Sequence, residues 1–347
     1  MKRILMAVFA AAFAPLVAFA QVDLQPAAIV KLTKTEPISV KVLKVEVAKL
    51  ESKSGRALTA AERRQVLDVM INERLAVQAA ERDKVVVSEA ELNQQIQQAR
   101  SSMAQTIGRQ PTDAEFDSAL KNETGTDLAG YKDQLRRQLV VQKYLLQKKK
   151  STFEGIKEPT EAEIKDAYDL YKAKLVRPDS IRFSMLFVPI SAENGGRDKA
   201  KEQIDRLEKD IGSSPGKFDE AIIRGQAQGS GYQGGDGGYL PKTSEAQKVV
   251  GSEFMSIAFS LKVGEVSRVM ENQRGFQIIK VTEVYAQKTL ELGDPYQLGS
   301  RGTVRDYLGN SMLQQRQQIA VDAATKELVE ELRAGKSYQI FDANLNW

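Results

Sequence analysis

The chain has 347 residues, a formal net charge of +4 at pH 7, and neither histidine nor cysteine. The absence of cysteine excludes disulfides, a thiol nucleophile, thiolate metal sites and a lipid-modified cysteine. The near balance of 50 basic and 46 acidic residues gives no reason to expect a nucleic-acid-binding protein. The length suggests about two domains, whose stability must come from packed cores.

The first twenty residues have the pattern of a secretory signal peptide. The basic pair Lys2-Arg3 precedes a continuous apolar run that closes with the small-x-small sequence Ala18-Phe19-Ala20. The alternative is an uncleaved membrane anchor, but the run is at the short limit for a spanning helix and Pro15 interrupts it. We therefore predict cleavage after Ala20, no stable membrane span in the mature chain, and an exported, periplasmic protein.

Four capping boxes mark helix starts in the first half of the chain. In each, a Ser or Thr is followed three residues later by Glu, and the two side chains satisfy amides of the first helical turn. The pairs are Thr59 and Glu62, Ser88 and Glu91, Thr112 and Glu115, and Thr160 and Glu163. They predict a series of capped helices.

Apolar residues recur at helical spacing within these segments and predict the core faces of a helical bundle. They are Leu67, Met70, Ile71 and Leu75 after Thr59, and Tyr131, Leu135 and Leu139 further on. Before the helices, Ala27 to Lys34 is predicted to form a short strand. Val40 to Leu50 fits either a strand or a helix, because its valines favour the first and its apolar stripe the second.

Short strands and helices alternate in the second half. Ile181 to Ile190 and Phe276 to Val284 predict strands, and Gly264-Glu265-Val266 predicts a turn into another strand. The predicted helices are Arg197 to Ile211, Lys217 to Arg224 and Phe254 to Leu261. The order is β-α-α-α-β-β, with a further short strand near Tyr239 left open. Gly229 to Gly238 has six glycines in ten residues, which predicts a loop needing positive φ rather than a phosphate-binding loop.

Three segments of this half resemble one known domain family. They are Gly234-Gly235-Asp236-Gly237-Gly238-Tyr239-Leu240, the stretch from Phe254 through Val266, and Gly275-Phe276-Gln277-Ile278-Ile279-Lys280-Val281. In this order they are similar to the motifs of the parvulin-type (PpiC) peptidyl-prolyl isomerase domain. The leading strand, the capped helices and the segment from Pro159 to Tyr171 resemble the export chaperones SurA and PrsA.

The resemblance implies an α+β architecture with one domain inserted into the other. Gly302 to Leu332 predicts one long helix or two joined ones, followed by a strand at Tyr338 to Phe341. In SurA- and PrsA-like chains such a tail returns to the helical domain, so this strand is expected to pair with Ala27 to Lys34. The implied parts are a signal peptide at 1–20, a helical chaperone domain at 21–175, a parvulin-like domain at 178–286 and the returning tail at 287–347.

The chain departs from the family at the positions of the usual site histidines. The histidine of the first parvulin strand corresponds to Met185, and that of the closing strand corresponds to Gln277. The family's acidic or cysteine position falls near Gln228, and the polar residue before the closing glycine is Arg274.

The apolar proline pocket of the family is better preserved. Phe254 matches its phenylalanine, and Val250 falls where an apolar residue is common. Prolyl isomerisation breaks no bond and needs only loss of amide resonance, a barrier of about 18–20 kcal/mol. An apolar pocket with a placed hydrogen bond lowers it without a nucleophile. We therefore expect Gln277 as the catalytic candidate and Met185, Val250 and Phe254 as the substrate-binding residues.

The resemblance implies an exported folding chaperone for unfolded secretory or outer-membrane proteins, with weak or lost isomerase activity. One alternative is a working isomerase with a histidine-free site, and another is a structural or surface interaction protein on the same scaffold. The expected partners are unfolded or proline-containing polypeptides, with no nucleic acid, no metal and no cofactor. The oligomeric state is left open.

Overall fold

A computed structural model gives the structure of the protein and describes residues 25–191, 195–227 and 229–347. Two compact units divide the chain. Of the described residues, those up to Ile156 together with Arg316–Trp347 form the first, here called the helical unit, and those within Lys157–Gln315 form the second, called the mixed unit. The predicted signal peptide and its cleavage site lie outside the described residues. Within the described ranges, no helix combines the length and the apolar character needed to cross a membrane.

The secondary structure follows the chain in this order: β1 (Pro26–Val30), β2 (Glu36–Ser39), α1 (Val40–Ser54), α2 (Ala60–Arg82), α3 (Glu89–Ile107), α4 (Asp113–Thr124), α5 (Leu128–Lys148), α6 (Lys150–Glu154), α7 (Glu161–Tyr171), β3 (Val176–Arg177), β4 (Ser180–Pro189), α8 (Gly196–Ile211), α9 (Pro215–Gly225), β5 (Gln233–Pro241), α10 (Ser244–Val250), α11 (Ser252–Ser260), β6 (Met270–Asn272), β7 (Gly275–Tyr285), β8 (Lys288–Thr289), α12 (Val304–Ala334) and β9 (Tyr338–Ile340). Helix α12 is one continuous helix that begins in the mixed unit and ends in the helical unit.

All four predicted capping boxes are present. Thr59, Ser88, Thr112 and Thr160 each accept from the amide three residues later, and the glutamate at that position accepts from the capping residue's own amide. The ambiguous segment at Val40 is the helix α1. Its cap is Ser39, whose hydroxyl accepts from the Val42 amide, and its buried face confirms the helical stripe.

A three-stranded sheet joins the two ends of the helical unit, in the order β2-β1-β9. Strand β9 pairs antiparallel with β1, which confirms the predicted return of the tail. The prediction was wrong in extending the first strand to Lys34, because β1 ends at Val30. After it the chain turns, and the buried side chain of Gln78 on α2 accepts from the three successive amides of residues 32–34.

The mixed unit is built on a four-stranded antiparallel sheet in the order β5-β4-β7-β6. Successive residues of a strand point to opposite faces, so β4 and β7 supply two cores. Leu186, Val188, Phe276 and Ile278 pack with apolar residues of α8 and α9 on one face. On the other face, which we call the pocket face, Ile181, Phe183, Ile279 and Val281 pack with apolar residues of α10 and α11.

The prediction of a loop with positive φ is confirmed at the start of the glycine run, where Gly229 and Gly231 have φ of 85° and 76°, but is wrong from residue 233 onwards. Residues 233–241 form the edge strand β5, and of the glycines in this strand only Gly238 has a positive φ, at 80°. Gly234 and Gly237 meet a packing demand instead, whereas a Cβ on Gly235 would have nothing within 4 Å. A Cβ on Gly234 would lie 2.5 Å from the Ile222 carbonyl oxygen of α9, and one on Gly237 would lie 2.2 Å from the Phe183 ring. Strand β5 therefore needs glycine because α9 and β4 approach it closely.

Two further elements differ from the predicted order. Helix α10 was not predicted; Thr243 caps it by accepting from the Ala246 amide, but Ala246 stands where a capping box has Glu or Gln. The strand predicted at Val266 is reduced to an isolated bridge between Val266 and Lys280, and the edge strand β6 starts only at Met270.

Candidate functional site

The structure brings the predicted site residues together on the pocket face of the mixed unit. Phe254 on α11 is buried, and its ring meets that of Phe183 edge-on, with centroids 5.6 Å apart. Met185 on β4 and Val250 at the end of α10 are partly buried and pack against the same apolar cluster. These side chains form an apolar surface suited to a proline ring, since shape and dispersion rather than charge would hold it.

Gln277 is the polar residue of this surface. It lies on β7 directly opposite Phe187 of β4 and Met270 of β6, and residues opposite each other in a sheet share a face. Only 6% of the residue is exposed. Within the described ranges, neither polar atom of its side-chain amide is among the fully buried, unpaired side-chain atoms, so the amide stays open to solvent. A bound peptide could therefore exchange hydrogen bonds with it, since the amide both donates and accepts.

Two neighbours of Gln277 were not identified from the sequence. Met270 is buried in the same cluster, and Phe187 is partly buried on the same face, two residues beyond Met185. Strand alternation from Met185 was the signal that would have found Phe187. Met270 had no such signal, because its strand was predicted in the wrong place.

The acidic residue of the glycine motif belongs to the opposite face. Asp236 lies opposite Ser184, which alternates with Met185, and its carboxylate accepts from Arg182 at 2.7 Å and from the Gly238 amide at 2.9 Å. The Arg182 guanidinium first, and then the Gly238 amide, lower the pKa of Asp236. This carboxylate is thus charged, paired and directed away from Gln277, which gives it a structural role.

Two other predicted positions contribute less. Gln228 lies outside the described residues. Arg274 is exposed in the β6–β7 hairpin, where its amide donates to the Asn272 side chain at 2.8 Å and its carbonyl accepts from the Ile190 amide at 2.8 Å. The pocket face therefore offers apolar contacts, the neutral amide of Gln277 and, at its rim, that of Asn272, which accepts from the Arg274 and Gly275 amides. This set can desolvate and orient a peptide bond without proton transfer.

Two family models match the chain in succession. A SurA-like N-terminal domain matches residues 3–145, and a PPIC-type PPIASE domain matches residues 159–293. The chain belongs to the SurA/PrsA-like folding factors. Its PPIC-type domain contains β4 to β7, and therefore the whole pocket face described above.

Curated relatives match at low identity over most of the chain. The foldase protein PrsA of Clostridium botulinum (strain Hall) is 23% identical over 302 residues, which cover 85% of this chain and 78% of that protein. The chaperone SurA of Alcanivorax borkumensis is 28% identical over 227 residues, which cover 64% of this chain and 47% of that protein.

Solved structures match along nearly the whole chain, with low similarity scores. A structure from the study of PEB4 and Cj1289, two SurA-like chaperones of Campylobacter jejuni, has a TM-score of 0.39 and 13% identity; 91% of this chain and 99% of that one are covered. PrsA from Bacillus subtilis has a TM-score of 0.26 and 21% identity, and 90% of this chain and 93% of that one are covered.

The helical unit of this SurA/PrsA-like protein contains a second candidate surface, which the sequence did not reveal. A groove with a volume of about 980 Å³ runs between α1 and α2, and Gln134 and Arg137 of α5 also line it. Its apolar lining includes Val42, Leu50 and Val69, which are 44%, 44% and 66% exposed. Large apolar side chains exposed together in a concave surface are typical of an interaction site.

The margins of this groove carry charges of both signs, most of them paired. Lys49 lies 3.0 Å from Glu46 on α1, and Arg137 of α5 lies 3.2 Å from Glu73 of α2. Exposed pairs of this kind contribute little to stability. They leave the groove without a strong excess of either charge, so its selection of a ligand would rest on the apolar lining.

Proposed function

We propose that the protein is an exported folding chaperone. The helical unit would hold unfolded secretory or outer-membrane polypeptides in the groove between α1 and α2. The PPIC-type domain, predicted to span residues 178–286, would bind proline-containing segments on its pocket face with weak or no isomerase activity. This proposal extends the family membership, because the foldase and chaperone names belong to the relatives.

The groove is the observation that supports the chaperone function. A chaperone for many clients needs an apolar surface that tolerates different sequences, and exposed Val and Leu side chains with a balanced rim meet that need. The most exposed of them, Val69, is two-thirds accessible without any ligand. Burying such a side chain against a client would contribute roughly 1.5–3 kcal/mol.

Suppression of aggregation by the chain without residues 1–20 tests this assignment. The variant Val42→Ser/Leu50→Ser/Val69→Ser removes the exposed apolar lining, whereas Val45→Ser changes a valine of α1 that is 48% exposed and lies outside the lining. We expect the triple variant to lose most of the suppression of a denatured client, and the single variant to retain it. Full suppression by a correctly folded triple variant would contradict the groove as the client site.

The loss of isomerase activity is proposed from the nature of Gln277. Electrostatic stabilisation of a twisted amide requires donors already held in position. The residue is only 6% exposed, but within the described residues no hydrogen bond fixes the orientation of the Gln277 side-chain amide. A neutral, unfixed amide beside apolar side chains binds a peptide well and favours the twisted form only slightly.

A histidine-free isomerase is the second candidate, and the same unpaired amide favours it. Gln277 both donates and accepts, so a bound peptide would satisfy both groups and fix the side chain on binding. Phe254 and Met185 would then exclude water from the prolyl bond, which strengthens a hydrogen bond to it.

Exchange NMR on a proline-containing peptide separates the two candidates. With catalytic amounts of the chain we expect the peptide signals to shift on binding, while cis–trans exchange stays within about twofold of the rate in buffer. Gln277→Leu would then change binding only. A large acceleration that Gln277→Leu abolishes, and that the exposed control Gln273→Leu retains, would establish the second candidate instead.

Export and client range need tests of their own. We propose that the mature chain starts at Gln21, so N-terminal sequencing of protein from the periplasmic fraction should begin there. A pull-down with the mature chain should recover many unfolded polypeptides. A single tight partner, with no suppression of aggregation, would favour the structural interaction protein.

A further inference from the structure

Phe187 is an aromatic residue at the edge of the pocket face, and it is part of neither core cluster of the mixed unit. Among the described residues it belongs to neither of the apolar clusters that flank the sheet, although its neighbours Leu186 and Val188 enter the core on the opposite face. It is partly buried and lies directly opposite Gln277. A large ring left at the margin of a core is available for contact with a ligand.

The backbone of β7 at Gly275, opposite Pro189, leaves space for the Phe187 ring. A Cβ on Gly275 would lie 2.9 Å from both Cε2 and Cζ of Phe187, and 2.2 Å from the Val188 carbonyl oxygen. The ring therefore lies against β7 at a residue without a side chain, next to Gln277 on the same strand face. Because Gly275 has no side chain to occupy this position, the Phe187 ring stays beside the side-chain amide of Gln277.

The spacing along β4 places Phe187 one step beyond the proposed proline position. Met185 and Phe254 belong to the same apolar cluster, and Phe187 follows Met185 by two residues on the same face. Two residues of a strand advance by about 6.6 Å, and consecutive Cα atoms of a peptide are about 3.8 Å apart. If a proline lies beside Met185 and Phe254, the side chain of the residue before it would lie towards Phe187. The peptide bond that joins these two peptide residues would then lie next to Gln277.

The charged residues at the margins of the sheet are paired with one another. Arg268 contacts Glu253 of α11 at 3.2 Å. Arg197 contacts Glu271 through two hydrogen bonds of 2.7 and 2.8 Å on the opposite face, beside the Phe276 ring. The side chains of β4 and β7 that share the pocket face with Phe187 are apolar apart from Gln277, and β6 adds the neutral amide of Asn272 opposite Gly275. A charged residue next to the proline would meet no free counter-charge among these pairs.

We propose that Phe187 determines specificity, by selecting an aromatic or large aliphatic residue immediately before the proline of a bound segment. The inference rests on the proposed proline-binding function of the pocket face and names the substrate class within it. Stacking of the preceding side chain on the Phe187 ring supplies the preference, and Gly275 holds the ring in place.

Binding of three short peptides to the chain without residues 1–20 tests the proposal. The peptides differ only before the proline, which follows Phe, Ala or Glu. We expect the Phe-Pro peptide to bind about fivefold more tightly than the Ala-Pro peptide, and the Glu-Pro peptide to bind most weakly. Phe187→Ala should remove the difference between Phe-Pro and Ala-Pro, whereas Phe187→Leu should retain part of it.

The outcomes distinguish this inference from the proposed function. If the wild-type chain binds all three peptides equally, or if Phe187→Ala keeps the Phe-Pro preference, the role of Phe187 is refuted while proline binding stands. If the wild-type chain binds none of the three peptides, or if Phe254→Ala binds them as well as the wild type does, proline binding at the pocket face itself fails. Thermal unfolding of each variant checks its fold, and chemical-shift changes at the Gln277 side-chain amide in wild-type protein report contact even where a variant misfolds.

Discussion

Val30 on β1 pairs with Tyr338 on β9, so segments from near the two ends of the described chain lie side by side in one sheet. Strand β1 is the central strand of this sheet, with β2 on its other side. The helical unit is therefore completed only when the tail has returned. The stability of that unit should depend on a few hydrogen bonds of β9.

Replacing Gln339 by proline tests this dependence. The Lys31 amide donates to Ser337 at 2.7 Å, and bonded pairs recur at every second residue of an antiparallel ladder, so the Gln339 amide faces β1. Proline has no N–H and leaves a strand carbonyl unpaired, which should cost about 2 kcal/mol. Urea unfolding followed by the fluorescence of Trp347, the single tryptophan, measures it.

The matched control is Gln339→Ala, which keeps the amide and should change the free energy of unfolding by less than about 0.5 kcal/mol. Equal losses for the proline and alanine variants would show that the ladder hydrogen bond does not hold the tail.

Gln78 should be among the most sensitive polar residues of the helical unit. Its side-chain oxygen accepts from the amides of Leu32 and Thr33 at 3.0 Å each and of Lys34 at 3.4 Å, while the residue itself is fully buried. Gln78→Leu keeps the volume but leaves these amides without their acceptor. We expect a loss of about 2–4 kcal/mol in the free energy of unfolding.

The exposed Gln65 on the same helix provides the control for this prediction, since Gln65→Leu breaks no such contact. The prediction is wrong if both variants unfold at the same urea concentration. A loss confined to Gln78→Leu would show that this side chain fixes the turn after β1.

The features that the sequence predicted well are those decided by neighbouring residues. A capping box is complete within four residues, so all four helix starts were found from the sequence alone. Val40 to Leu50 remained ambiguous because its valines and its apolar stripe conflict, and the Ser39 cap and tertiary burial decide for the helix. The pairing of β1 with β9 spans the chain and was expected only through the family resemblance.

The features that it missed depend on distant neighbours. Strand β5 is ordered by β4 and α9 rather than by its own glycines, so its local signal indicated a loop. On the pocket face, Met185, Phe254 and Gln277 were expected together only through the family resemblance. The position of the Phe187 ring depends on Gly275 across the sheet, which no local pattern encodes. The roles assigned to these residues remain predictions.

Two adjacent glycines of β5 should respond differently to alanine. A Cβ on Gly234 would lie 2.5 Å from the Ile222 carbonyl oxygen and 2.8 Å from its Cα, whereas Gly235 has no atom within 4 Å of that position. Gly234→Ala should therefore push α9 away from β5 and cost about 2 kcal/mol or more. Gly235→Ala should be neutral or slightly stabilising, because it only reduces the freedom of the unfolded chain.

Thermal unfolding followed by circular dichroism compares the two glycine variants, and peptide binding at the pocket face shows whether the damage spreads. A similar decrease in unfolding temperature for both would contradict close packing as the reason for glycine at residue 234. In that case backbone freedom of the run would be the better explanation.

The capping-box glutamates should make the helical unit tolerant of acid. Glu62, Glu91 and Glu115 each have a pKa lowered to about 2, first by a basic side chain and then by the amide and hydroxyl of the capping residue. The basic partners are Arg56, Lys143 and Arg109, respectively. Because the folded-state pKa is below the unfolded value of about 4.3, the stabilisation is complete above that value and is lost as the pH falls towards about 2.

The unfolding temperature of the helical unit should therefore be nearly constant between about pH 5 and pH 8, where a chain without histidine titrates little, and should fall below about pH 4.3. The variant Glu62→Gln/Glu91→Gln/Glu115→Gln keeps the reciprocal hydrogen bonds but removes the charges. It should unfold at a lower temperature near neutral pH and lose less on acidification, so the two curves converge towards about pH 2. Glu123→Gln, outside the capping boxes, should follow the wild type. Parallel curves for the triple variant and the wild type would show that other carboxylates control unfolding in acid.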